Sequence, residues 1–295
     1  MSKSFNFRKK IIEGQPCLFS NIDNTLSPLT FIIVPGNPSI EELYIEFGEL
    51  FIKKFNYPVI ISSLASNTTK DFSLERAIKL KKNFFEYIFN TNPNGKYILL
   101  CHSIGNYISL KSLQQIKQTK QIIGIYCLFP AIQNLYKCFP LEYRIMSYNF
   151  ILINICAFLC NLFKFMPLYV IILFFKIISD VPSNYIECLS RNATPSFTKQ
   201  MLLLTKDEGD YVKEYTDDFI KFMNENSYRL RMIYGKFDRY GNEEVANKFH
   251  ELVPNATLKV VNILHAFVLG YAQDTFNETY DLIKKDIDKI KNYYN

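Results

Sequence analysis

Residues 97–113 read YILLCHSIGNYISLKSL. An apolar run from Tyr97 to Cys101 halts at His102-Ser103, and an amphipathic segment begins at once with Ile104-Gly105. A strand that turns directly into a helix exposes the residue at the turn on the carboxyl edge of a parallel sheet. It also brings the first N–H groups of the helix toward that side chain. The five residues Cys101 to Gly105 form C-x-S-x-G, one position away from the G-x-S-x-G of a nucleophile elbow. Cys101 is small enough for the crowded first position, and Gly105 supplies the second glycine. A serine at an ordinary helix N-cap fits the same five residues; the strand before and the helix after favour the elbow.

The flanking sequence repeats the same alternation. LTFIIVPGNPS is a β-branched apolar run that ends in a Pro35-Gly36-Asn37-Pro38 loop, and YPVIISSL (57–64) is a second short strand. FSLERAIKLKKNFFEYIF carries helical spacing from Ser73 onward. After the 97–113 segment come a strand in QIIGIYCLFP, another in YRLRMIYGKFD, a helix in NEEVANKFHELV, a strand in ATLKVVNI and a closing helix over about 272–294. Strands alternating with helices predict an α/β fold with a mostly parallel central sheet covered on both faces. The alternation lapses between Phe129 and Arg229. The expected organisation is therefore a core made of residues 1–129 and 229–295, with 130–228 as a helical, apolar cap insert. Within the insert, YNFILINICAFLCNLFKFMPLYVIILFFKII (148–178) is nearly all apolar, with Lys164, Pro167 and Lys176 as interruptions. Neither half reaches the ~20 residues of a spanning helix, and the proline predicts two helices with a bend.

A serine hydroxyl needs a base to become a nucleophile, and the chain has three histidines. His102 adjoins Ser103 in a tight turn and is expected to point away from it. His250 lies in the body of a helix. His265 follows the last strand, in NILHAFVLG, where an α/β-hydrolase carries its base. An acid should follow the strand before that one, and MIYGKFDRYG offers Asp238. The chain order is then Ser103, Asp238, His265. Asp207 and Asp210 are rivals, but no strand precedes them. An oxyanion requires backbone donors: Ile104 N–H next to the serine, and Asn37 N–H in the PGNPS loop, since Pro38 has none. Gly36 lets that loop approach a substrate closely.

Bulk properties narrow the partners. The 295 residues are 48% hydrophobic and 21% charged, with 26 Phe, 20 Tyr and no Trp, which describes a folded globular chain. A net charge of +6 is spread thinly, without the dense Lys/Arg blocks of a nucleic-acid binder. Seven cysteines at scattered positions show no metal-ligand spacing and suit a reducing compartment. The N-terminal MSKSFNFRKKIIEG lacks the apolar stretch of a signal peptide, so no secretion is expected, and the four N-x-S/T matches carry no weight. No metal and no cofactor is expected.

Five stretches, in order, resemble the lipid droplet-associated hydrolase family: FIIVPGNPS with Tyr44, FSLERAIKLKKNFF, LLCHSIGNYISL, CLFPAIQNL, and YGKFD…HAFV. The resemblance implies an α/β-hydrolase fold and a serine lipid hydrolase linked to sterol and other neutral lipid esters. It also implies association with lipid droplets and the endoplasmic reticulum, on the cytosolic face, through a hydrophobic segment. The family's serine falls on Ser103, its acid on Asp238 and its histidine on His265. Two departures stand out: PGNPS where the family usually has PGNPG, and RYG after the acid in place of a tryptophan-bearing stretch. Three readings stay open from the residues: an esterase of neutral lipid at droplets, a soluble esterase or thioesterase with a lid, and a droplet-surface protein with little turnover.

Overall fold

A computed structural model describes residues 6–23, 26–64, 73–117, 119–162, 165–167, 169–170 and 182–294. Its sheet has eight strands: β1 (Phe7–Ile12), β2 (Gln15–Ser20), β3 (Leu29–Val34), β4 (Val59–Ser62), β5 (Lys96–His102), β6 (Ile122–Leu128), β7 (Leu230–Gly235) and β8 (Thr257–Val261). The order across the sheet is β1-β2-β4-β3-β5-β6-β7-β8, antiparallel at β1/β2 and β2/β4 and parallel from there on. Strands β3 and β7 are buried along their whole length, as expected where helices cover both faces.

The helices of the core are α1 (Ile45–Phe55), α2 (Leu74–Thr91) and α3 (Ile104–Gln114), and, beyond the insert, α10 (Glu243–Leu252) and α11 (Ala272–Tyr294). One apolar layer joins α2, α3 and α10 to the sheet through residues such as Phe84, Leu110 and Phe249. The opposite layer joins α1 and α11 through Phe47, Phe51, Phe276 and Ile283. The edge hairpin β1–β2 is absent from the sequence expectation. Three exposed cations, Arg8 to Lys10, sit on β1 and mask any alternation, which is how edge strands resist further pairing. Its two-residue turn is Glu13-Gly14, both at positive φ.

Between β6 and β7 the described residues form α4 (Leu135–Cys138), α5 (Leu141–Tyr148), α6 (Phe150–Leu162), α7 (Ser183–Asn192), α8 (Pro195–Tyr211) and α9 (Asp217–Glu225). No helix among the described residues is long and apolar enough to cross a membrane. Helices α5 and α6 meet at 97°. The break falls at Asn149, whose Oδ1 accepts the N–H groups of Ile151 and Leu152 and so caps α6. Of the second half of the bent pair expected over 150–178, beyond Pro167, only residues 169–170 are described; Lys164 and Lys176 lie outside the described residues. Helix α6 packs on α8 and buries Ile153 and Ala157, yet leaves Phe150 76%, Ile151 68% and Phe158 63% exposed.

Strand register brings distant sequence together. Val34 pairs with Cys101, so β3 and β5 end level and the Pro35–Pro38 loop lies beside Ser103. Gly235 pairs with Val261, so the loops carrying Asp238 and His265 leave the same carboxyl edge.

Candidate active site

Ser103 occupies the turn between β5 and α3 at φ 52°, ψ −128°. A non-glycine residue there is strained, and such strain concentrates at functional turns. The packing leaves no slack for it to relax. A Cβ on Gly105 would run into the Pro35 carbonyl oxygen, and one on Gly36 would lie 2.7 Å from Ser103 Cβ. Both positions therefore require glycine because two backbones approach each other, at the β3 loop and the start of α3.

His265 bridges two partners. Its Nε2 lies 2.9 Å from Ser103 Oγ, and its Nδ1 lies 2.6 Å from Asp238 Oδ2. The Asp238 side chain is fully buried, and its Oδ1 accepts the Tyr240 N–H at 2.9 Å. With Nδ1–H given to the carboxylate, Nε2 is left free to accept the serine proton. Tyr240 also stacks obliquely on the His265 ring at 4.6 Å. The structure thus brings together the three side chains that the chain order singled out. The rival acids are engaged elsewhere: Asp207 accepts the Leu74 N–H, and Asp210 pairs with Lys206. His250 is exposed on α10. The main-chain N–H groups of Asn37 and Ile104 have no partner among the described residues, which leaves both available to an oxyanion.

His102 turns away from Ser103 Oγ, as expected, but it is far from idle. Its Nδ1 lies 2.6 Å from Tyr44 Oη, and its Nε2 lies 2.8 Å from the His265 carbonyl oxygen. Tyr44 Oη also accepts the Gly36 N–H at 2.9 Å. These contacts set the protons: Tyr44 donates to Nδ1, and Nε2–H donates to His265. Burial holds the His102 imidazole well below its ordinary pKa, with the neighbouring His265 pushing the same way. Burial pushes the Tyr44 hydroxyl up, so it keeps its proton. A neutral chain of hydrogen bonds therefore ties the β3 loop to the backbone of His265. In the sequence, Tyr44 is visible only as part of a resemblance, and no spacing pairs it with His102.

Ser103 and His265 open onto a cavity of about 400 Å³ between the sheet edge and the insert. Its walls are largely apolar, with Ile40, Phe139, Leu189, Phe197 and Leu202 among them. Tyr143 of α5 and Cys160 of α6 also line it. Asn37 reaches across to α8, where its Nδ2 donates to Met201 O, Thr205 Oγ1 and Glu208 Oε1 at 3.1, 3.0 and 3.0 Å.

Residues 27–268 match the family model described as lipid-droplet associated hydrolase. The chain belongs to this family. Proteins named lipid droplet-associated hydrolase are 27% identical over 265 residues in Dictyostelium discoideum, covering 85% of this chain and 86% of the relative, and 23% identical over 297 residues in Drosophila melanogaster, covering 90% and 92%. Among solved structures, a putative lipase from Acinetobacter baumannii AYE superposes with a TM-score of 0.64 at 18% identity, covering 97% of this chain and 93% of its own. A haloalkane dehalogenase from Agrobacterium tumefaciens C58 gives 0.69 at 12% identity, covering 98% of each. These likenesses establish the α/β-hydrolase fold. A fold that serves a lipase and a dehalogenase alike leaves the chemistry to the site. The family match contains Ser103, Asp238 and His265 and leaves out β1, β2 and α11.

Proposed function

We propose that this family member is a serine ester hydrolase that cleaves neutral lipid esters, sterol esters or others, through an acyl-enzyme on Ser103. The observation that carries the reading is the unbroken Asp238–His265–Ser103 relay opening onto an apolar cavity. Ser103 Oγ attacks the ester carbonyl while His265 Nε2 takes its proton; the N–H groups of Asn37 and Ile104 receive the oxyanion. Collapse of the tetrahedral intermediate expels the alcohol, which takes the proton from His265. Water, deprotonated by the same imidazole, then hydrolyses the acyl-enzyme. Asp238 holds the ring and stabilises the imidazolium, and Gly36 and Gly105 let the two donors converge.

Residues 130–228 serve as cap and lipid-contacting insert on a core of 1–129 and 229–295. The site of action is the lipid droplet and the cytosolic face of the endoplasmic reticulum. The names of the relatives support the droplet, and the outward apolar face of α6 supports contact with lipid. Labelling with a fluorophosphonate serine probe tests the chemistry. Wild type takes the probe, and Ser103→Ala does not. Equal labelling of the two removes Ser103 from the mechanism, and an unlabelled wild type favours a droplet-surface protein without turnover.

A further inference from the structure

One side chain in the cavity does not suit a purely apolar ester. Glu208 of α8 lines the cavity with Ser103, His265 and Asn37, and it is 5% exposed. Its Oε1 accepts from Asn37, while Oε2 has no partner among the described residues. Fixing Asn37 does not require this acid. An amide NH2 has two protons, and the Asn37 amide already has Thr205 Oγ1 and Met201 O as acceptors. Burying a carboxyl among apolar walls is costly unless it finds a partner. The surplus acceptor therefore marks a group kept for something that enters the cavity.

Its neighbours limit what that is. Burial pushes the Glu208 carboxyl up to about 8, with Asp207 adding to the shift and the Asn37 bond opposing it, so the group is mostly neutral at pH 7. Neutrality suits the location, because a fixed anion beside the Asn37 loop would oppose the charge that grows on an oxyanion there. A neutral carboxyl donates one hydrogen bond and accepts others, which pairs in both directions with an alcohol and finds no partner in a hydrocarbon. Asn37 sets the distance, since its main chain serves the oxyanion and its side chain meets Glu208. The recognised group thus lies only a few bonds from the scissile ester.

We propose that Glu208 is a specificity-determining residue that hydrogen-bonds a free hydroxyl next to the scissile ester, making glycol and glycerol partial esters the favoured class over fully esterified lipid. The proposal rests on the serine-hydrolase reading above. The test compares 2-hydroxyethyl decanoate with its hydrocarbon isostere, propyl decanoate, on the whole chain. Wild type should favour the hydroxy ester in kcat/KM by about 10- to 100-fold, because the propyl ester leaves the buried carboxyl unpaired. Glu208→Leu should remove the preference or reverse it toward the propyl ester; Glu208→Met is the second variant, and a native urea midpoint qualifies either for the comparison. Equal cleavage of the two esters by wild type overturns the specificity alone, as does a preference that survives in a folded variant. Cleavage of neither ester overturns the hydrolase reading, and the specificity falls with it.

Discussion

Replacing Tyr44 with Phe removes one oxygen from a fully packed site and changes little else in shape. That oxygen accepts the Gly36 N–H at 2.9 Å and donates to His102 Nδ1 at 2.6 Å, on a residue 2% exposed. Neither partner can turn to water. An unpaired buried polar group costs about 1–3 kcal/mol, so two cost about 2–6 kcal/mol. That is a large share of a typical total of about 5–15 kcal/mol. The functional effect is separable from the loss of stability. Without the hydroxyl, the Gly36–Asn37 loop and the His265 backbone are no longer held by one chain of bonds. On the proposed mechanism, kcat should fall about 10- to 100-fold while KM moves less than about threefold, because misplacement acts on the transition state. Urea unfolding reads the first effect, and steady-state hydrolysis of a short-chain aryl ester reads the second. A variant that unfolds within about 0.5 kcal/mol of wild type refutes the energetic argument. One that loses stability and keeps its kcat refutes the positioning role.

Asp238→Asn should lower turnover by about 10⁴ by favouring the wrong His265 tautomer, while Asp207→Asn and Asp210→Asn stay near wild type in the same ester assay. Because burial holds His102 below its ordinary pKa of 6.5, the unfolded chain binds the extra proton first. Stability should therefore fall as pH drops below about 6.5, by up to about 1.4 kcal/mol per pH unit, and His102→Gln should flatten that limb of the urea-midpoint profile. Glu208 has the opposite sign. Its carboxyl is raised from 4.5 to about 8, so the folded state keeps a proton that the unfolded chain has given up. Stability should decline as pH rises from about 4.5 through about 8, and Glu208→Gln should abolish that decline. Replacing Phe150, Ile151, Phe158 and Leu159 with Ser or Gln should weaken binding to phospholipid-coated oil droplets by at least about 100-fold, as read by flotation. Undiminished flotation of the folded variant removes α6 from the lipid contact.

The sequence makes the sheet and the relay legible because both are written locally. Most strands of the parallel core read as apolar runs, and Ser103, Asp238 and His265 each lie within four residues of the carboxyl end of a strand. Parallel register then carries all three to one edge. Features that rest on through-space meetings leave no such trace. Tyr44 and His102 are 58 residues apart and Asn37 and Glu208 171 apart, each pair joined by a single side-chain contact that no periodicity encodes. Helix α1 carried a signal that was there to be read: Phe47, Phe51 and Ile52 share a face, and the helix closes on Asn56 in the left-handed region. The break at Asn149 is less visible than Pro167, because an asparagine cap announces a helix start only once the chain has already turned.

The insert has two surfaces, and their proximity bears on how an ester too apolar to diffuse in water could meet Ser103. Tyr143 and Cys160 face the cavity from α5 and α6, while the same two helices leave Leu141, Ile145, Phe150 and Phe158 half or more exposed on the outside. A helix that is apolar on every side meets no hydrophobic driving force to stay on the protein once a lipid phase is offered. Helix α6 has only Ile153 and Ala157 buried, and it hinges on α5 at Asn149. Helices α5 and α6 thus carry cavity-lining side chains and outward apolar ones on the same two segments. On the proposed function, the contact with lipid and the entry of substrate share these two helices. A mutation on their outer face should therefore lower hydrolysis of emulsified ester far more than hydrolysis of a soluble short-chain ester, whereas a mutation in the relay should lower both alike.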